Sequence, residues 1–162
     1  MYNSKIIRGK TMYRKANISD IENIVKITNN KVTKQEIVEF IQRGQNYLYV
    51  FEKDNGIVGA TFFGAQDIEE HDYDSEVYGL YTKNTKDKDM IHAELLFDTK
   101  KELFNMGYRK LVIWADETDK TYRKSLQSSG GKEIKQREND GSIQIAYSYD
   151  LIDLDEMEKD VD

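Results

Sequence analysis

Ser75-Glu-Val-Tyr-Gly-Leu-Tyr-Thr-Lys-Asn-Thr-Lys-Asp-Lys-Asp-Met-Ile-His-Ala-Glu-Leu-Leu96 reads as an alternating strand, a turn rich in lysine and aspartate, and the start of an amphipathic helix. A strand running straight into a helix N-terminus directs unpaired backbone N–H groups and the positive end of the helix dipole at one point. That arrangement suits a phosphate-bearing ligand. Gly79 is unusual in a strand interior. Glycine there marks a bulge, a close approach by another molecule's backbone, or room made for a helix side chain.

Upstream of this junction, residues 47–53 and 57–63 are β-rich runs, and Asp54-Asn55-Gly56 between them carries the Asn-Gly pair of a tight hairpin. Before them, residues 12–17 alternate as a first strand. Ser19-Asp-Ile-Glu22 and Thr33-Lys-Gln-Glu36 each fit a capping box opening a helix; Ile21, Ile24, Val25 and Thr28 line the first, Ile37, Phe40 and Ile41 the second, with Gly44 as its stop. Downstream, residues 90–106 form a helix ended by Gly107, 110–115 an apolar strand whose Trp114 is expected in the core, and 118–129 a helix stopped by Gly130-Gly131. Two strands around Asn139-Asp140-Gly141 close the pattern, the last spanning 143–151. The order β-α-α-β-β-β-α-β-α-β-β predicts a mixed α/β domain: one central, mostly antiparallel sheet flanked by four helices.

The 162 residues suffice for one domain with a sizeable core, placed at 12–150 between an N-terminal arm (1–11) and an acidic tail (151–162). Residues 150–162 hold seven acids and one lysine, which accounts for the whole formal net charge of −6; the rest carries 23 acidic and 23 basic residues. A neutral body argues against nucleic-acid binding. No cysteine is present and the N-terminal stretch has only Ile6-Ile7 as an apolar core, so the composition points to a soluble cytoplasmic protein without disulfides, signal peptide or membrane span. The chain contains no P-loop, nucleophile elbow or Rossmann glycine pattern. No metal is expected either, because neighbouring residues such as Glu69-Glu70-His71-Asp72 seldom converge on one ion and His71 and His92 are the only histidines.

The frame from Leu80 to Leu96 resembles the acyl-CoA signature of the GNAT acetyltransferase family, a hydrophobic strand followed by Gln/Arg-x-x-Gly-x-Gly/Ala and a helix. Ile91, Leu95 and Leu96 match it. Asp87 stands at the Gln/Arg position, Lys88 at the earlier glycine, and Met90 and His92 at the last two small residues. The element order is also that of the GNAT fold. The resemblance implies that acetyl-CoA lies where the strands 76–82 and 110–115 splay apart, touching Leu80, Tyr81, Thr82, Asp87, Lys88, Asp89, Met90, Ile91, His92 and Asp119. It implies strain at Met90 and His92 if the loop demands glycine's positive φ, of about 1–2 kcal/mol per residue. It aligns Glu76 with the strand glutamate that some members use as a base, one face carrying Glu76, Tyr78, Leu80 and Thr82 unless a bulge intervenes.

The family's Asn-x-x-Ala-x-x-Phe-Tyr helix aligns Asp119, Tyr122, Ser125 and Leu126; since Leu126 has no proton to give, the acid role is vacant or passes to Tyr122 or Tyr81. The acids Asp67, Glu69, Glu70, Asp72, Asp74 and Glu76 either draw in a cationic amine or form a plain solvated loop. The implied activity is acetyl transfer from acetyl-CoA to a primary amine, on a small molecule or a peptide. The alternatives are a GNAT-fold binding module that has lost CoA, or use of another acyl or phosphate-bearing donor. An edge among the final strands is a site at which a homodimer could pair.

Overall fold

The computed structural model describes residues 10–154, so most of the N-terminal arm and the charged end of the tail lie outside the described residues. In chain order the elements are β1 (Thr11–Lys15), a 3-10 turn (Ile18–Asp20), α1 (Ile21–Ile27), α2 (Lys34–Gln42), β2 (Asn46–Lys53), β3 (Gly56–Ala65), β4 (Ser75–Thr82), α3 (Lys88–Asn105), β5 (Lys110–Asp116), α4 (Lys120–Ser128), β6 (Lys132–Asn139) and β7 (Ser142–Asp150). One seven-stranded sheet in the order β1-β2-β3-β4-β5-β7-β6 holds them together. Every pairing is antiparallel except β4 with β5.

Apolar periodicity decides which helix covers which face. Ile21 and Ile24 of α1 and Ile37 of α2 are buried against Leu48, Val50, Ala60 and Phe62. On the opposite face Leu96 and Leu103 of α3 and Leu126 of α4 pack on Phe63, Val77, Leu111 and Ile113. Burying a residue of this kind stabilises the fold by about 1.5–3 kcal/mol, so the two helix pairs fix the sheet from both sides. The far edge, β6, is solvent-exposed along its whole length. Leu151 belongs to the body: it is buried and its N–H donates to the Arg109 carbonyl at 2.8 Å.

Several boundaries differ from the sequence expectation for local reasons. The first capping box is formed by Asn17 and Asp20, not Ser19 and Glu22, because the chain turns two residues earlier and Arg14 grips the Asp20 carboxylate at 2.8 and 2.9 Å. The box at Thr33 and Glu36 is as expected. The β2–β3 hairpin turns on Asp54-Asn55, both at positive φ (52° and 68°), with Gly56 already in β3; Asn tolerates that region, which leaves the glycine free for the strand. The helix after the junction begins at Lys88, two residues early, and Trp114 is half-buried rather than core.

Two irregularities shape the centre. In β3–β4, Phe62 pairs with Gly79 and Phe63 with Val77, so Tyr78 is an extra residue, a β-bulge. The bulge re-phases β4. Val77 and Leu80 both pack toward α3, while Glu76 keeps the face of its partner Val112 and Tyr81 packs with Phe62 toward α1 and α2. Glu76, Tyr78, Leu80 and Thr82 therefore do not share one face. Gly79 has no positive φ; the Tyr81 ring lies over it, and a Cβ would sit 2.6 Å from Tyr81 Cε2. Its smallness admits a strand side chain. The second irregularity is that β4 and β5 pair at Ser75–Leu111, Glu76–Val112 and Val77–Ile113 only, although β4 runs on to Thr82 and β5 to Asp116.

Candidate active site

Where β4 and β5 part, a cavity of about 140 Å³ passes through the sheet. Glu76, Trp114, Arg137 and Gln144 line it from one face, Leu80, Ile113 and Tyr122 from the other. The backbone of β4 beyond Val77 has no strand partner on the β5 side, so its polar groups face this opening.

Glu76 is 7 % exposed. Burial raises its pKa above the ordinary carboxylate range, and the Arg137 charge and the dipoles of Trp114 and Tyr73 offset part of that rise. The result is a carboxylate that holds a proton more readily than a surface glutamate does. Tyr73, itself buried and pushed up to about 12 chiefly by burial and then by Glu76, stacks on His71 at 5.0 Å between ring centroids. The acidic run before β4 divides by role: Asp74 accepts from the Arg109 and Lys110 N–H groups at 3.0 Å, Asp67 accepts from Glu69 N–H at 2.9 Å, and only Glu76 reaches the cavity. Among the described residues no group of three or more His, Cys, Asp or Glu side chains could hold a metal ion.

Tyr122 stands on α4, whose N-cap Asp119 accepts the Tyr122 N–H at 3.1 Å. Its hydroxyl lies 3.4 Å from His92 Nε2, with the rings edge to face. Burial raises the Tyr122 pKa well above 10, so it keeps its proton, and burial lowers that of His92, which is neutral at physiological pH. Leu126 is fully buried in the core. Tyr81 lies on the α1/α2 side and its pKa is raised, first by burial and then by Glu36. Glu76 and Tyr122 thus stand on opposite faces of one opening, which Tyr81 does not line.

Beside Tyr122, a second cavity of about 230 Å³ is lined by Thr82, Lys88, Asp89, His92, Asp119 and Ser125 among others. Met90 and His92 lie inside α3 with ordinary helical backbone, so the missing glycines carry no strain. Asp87 is turned away: Lys53 Nζ donates to it at 2.9 Å and Thr85 at 2.6 Å. The Asp89 and Met90 N–H groups have no hydrogen-bond partner among the described residues, whereas Lys88 N–H is engaged by the Thr85 carbonyl. Ile91 is buried and offers no side chain to a ligand.

On the α1/α2 side a third cavity, about 280 Å³, is walled by Phe40, Phe62, Tyr78 and Tyr81, with Glu36 and Glu39 of α2 and Arg43 just after it at its rim. Phe40 meets Phe62 and Tyr78 edge to face at 5.3 and 5.7 Å. Sequence reasoning did not single out Arg137, Tyr73 or this aromatic wall. For the wall a signal existed, Glu36, Phe40 and Arg43 at helical i, i+4, i+7 spacing; for Arg137, 61 residues beyond Glu76, no local signal did.

No protein-family model matches the sequence, and no curated protein is similar to it. Solved structures are similar in fold. An N-acetyltransferase from Staphylococcus aureus Mu50 superposes with a TM-score of 0.71 at 23% identity, covering 89% of this chain and 100% of that one. The ribosomal-protein-S18-alanine N-acetyltransferase of Escherichia coli gives 0.73 at 10% identity over 88% and 94%. yncA from Salmonella typhimurium, solved with its cofactor acetyl-CoA, gives 0.69 at 16% identity over 88% and 94%. The chain has the fold of the GNAT N-acetyltransferases, as the sequence pattern predicted.

Proposed function

We propose that this protein is an N-acetyltransferase that moves an acetyl group from acetyl-CoA to a primary amine by direct attack. The observation carrying this reading is the single cavity through the sheet that Glu76 and Tyr122 enter from opposite faces. Bound there, acetyl-CoA supplies an activated thioester. Its pyrophosphate fits the α3 N-terminus, where the Asp89 and Met90 N–H groups are unspent, Lys88 stands nearby and Lys53 holds Asp87 aside. Unpaired β4 backbone holds the pantetheine and thioester.

Glu76 takes a proton from the incoming ammonium, which frees the nitrogen lone pair to attack the thioester carbonyl carbon. The C–N bond forms and the C–S bond breaks. Tyr122, with a pKa far above that of an ordinary thiol at about 8.5, stabilises the departing thiolate by donating a hydrogen bond and keeps its proton. The thiolate then takes up the second proton shed by the nitrogen.

Titration calorimetry with acetyl-CoA, followed by a thiol-release assay over a panel of amines, tests the reading. Saturable binding in the micromolar range with amine-dependent CoA release is expected. No heat at millimolar acetyl-CoA would overturn it in favour of a GNAT-fold binding module.

A further inference from the structure

We infer that the acceptor is a free α-amino acid with a large side chain, its carboxylate held by Arg137. The inference rests on the acetyltransferase reading and names the substrate class of the same site.

Arg137, on β6, reaches across to line the cavity that contains Glu76. Two contacts fix its guanidinium. It lies 3.8 Å from the centroid of the Trp114 ring, and its Nε donates to Gln144 Oε1 at 2.9 Å. Its two terminal nitrogens have no acceptor among the described residues, and it forms no ion pair with Glu76 although the two charges act on one another. The Trp114 indole N–H, buried beside them, makes no close hydrogen bond and acts on the Glu76 carboxylate. The two terminal nitrogens of Arg137 are therefore unspent next to one carboxylate base.

That donor set has a simple complement. A carboxylate accepts only, through two oxygens, and matches the guanidinium fork. An amine bearing a carboxylate on the next carbon places its nitrogen at Glu76 and its oxygens at Arg137, so the site's balanced pair of charges meets a zwitterion. A plain alkylamine would bring a second cation to the guanidinium with no carboxylate of its own to meet it. A peptide N-terminus presents a neutral carbonyl where the carboxylate would lie, and forgoes the charge-assisted bond.

The side chain has a place to go. Tyr78 and Gly79 line both this cavity and the aromatic chamber of about 280 Å³ on the α1/α2 side. A residue of tyrosine or leucine size fills part of that chamber, whereas glycine or alanine leaves the rings wet. At the rim Glu36 and Glu39 outnumber Arg43, which disfavours an acidic side chain.

The test is a thiol-release assay on the full chain with acetyl-CoA and the twenty L-amino acids, their amides and their decarboxylated amines. At least one free acid should exceed its own amide and amine about 10-fold in kcat/KM. Arg137→Gln should raise KM for that acid by about 10- to 100-fold, the span expected for a lost hydrogen bond to a charge. It should leave KM for acetyl-CoA unchanged and lower kcat/KM for the acid at least 10-fold more than for the matching amine, and Arg137→Lys should recover part of the loss. Because Arg137 also acts on Glu76, the comparison is repeated over a pH series, so that a moved acid limb is separated from a change in KM. Amides or amines used as well as acids, or an Arg137→Gln defect equal for all three, would overturn the inference. So would acetyl-CoA binding with transfer to none of the panel or only to peptides, which leaves the acetyltransferase reading standing; absence of acetyl-CoA binding would remove both.

Discussion

On the α1/α2 side of the β4–β5 opening the working groups stand on strands, Glu76 on β4, Trp114 on β5 and Arg137 on β6; on the α3/α4 side they stand near helix N-termini, His92 on α3 and Tyr122 on α4. The strand groups are placed by long-range register. The helix groups are placed by local caps, such as Asp119 holding the Tyr122 N–H. In the proposed reaction the first side would recognise and deprotonate the acceptor. The second offers backbone N–H groups and a hydroxyl that any thioester donor of the right length could use.

The sharpest way to separate the two sides is Glu76→Gln. Turnover should fall by about 10²- to 10⁴-fold, the range of a lost general base, while acetyl-CoA affinity by calorimetry stays unchanged. The sign of the pH effect follows from the raised pKa: the base form is lost as pH falls through a value above the usual carboxylate range, so wild-type kcat/KM drops on the acid side and the Gln variant lacks that limb. Next in size is Tyr122→Phe. It should lower kcat about 10-fold, as one hydrogen bond to the leaving sulfur would, without moving the acid limb or the acceptor's KM. A shifted acid limb would mean the two faces are not independent.

A smaller effect belongs to the phosphate end. Lys53→Ala releases Asp87 toward the α3 N-terminus, and acetyl-CoA Kd should weaken about 5-fold, the scale of a partly exposed charge pair; an unchanged Kd would place the pyrophosphate elsewhere. Smallest is a stability change in the donor-side helix itself. Glu94 of α3 is buried with one carboxylate oxygen unpaired, and burial raises its pKa to about 7. A raised carboxylate pKa favours folding most below the ordinary value and loses that contribution as pH rises through about 7. Glu94→Gln should therefore gain Tm relative to wild type between pH 5 and pH 8, by about 2–4 °C for each kcal/mol at this size. A difference independent of pH would show that Glu94 does not titrate there.

The same contrast explains what the sequence made legible. The fold was readable because its signals are local: two-residue hairpin turns, the Thr33–Glu36 box, Gly107 at φ 104° closing α3, and apolar stripes on each helix. On the helix side Asp119, His92 and Tyr122 were named in advance for the same reason. The Asn17–Asp20 cap was missed because Ser19 and Glu22 satisfy the same spacing, and only the Arg14 contact from β1 selects between them. On the strand side Glu76 alone was visible. Arg137 acquires its position from β6 pairing with β7 and β7 with β5, two registers that no window of neighbouring residues contains. The same holds for the bulge at Tyr78, which exists only in relation to β3.

That bulge also sets how β4 can evolve. Along an unbroken strand, tolerance to substitution alternates with a fixed parity. Here the extra residue reverses the parity midway, so the positions facing α3 and α4 are odd before Tyr78, as at Val77, and even after it, as at Leu80. Saturation mutagenesis of residues 75–82 would read as two out-of-step ladders, and deletion of one residue between them would exchange the α3/α4-facing and α1/α2-facing sides along the remainder of the strand.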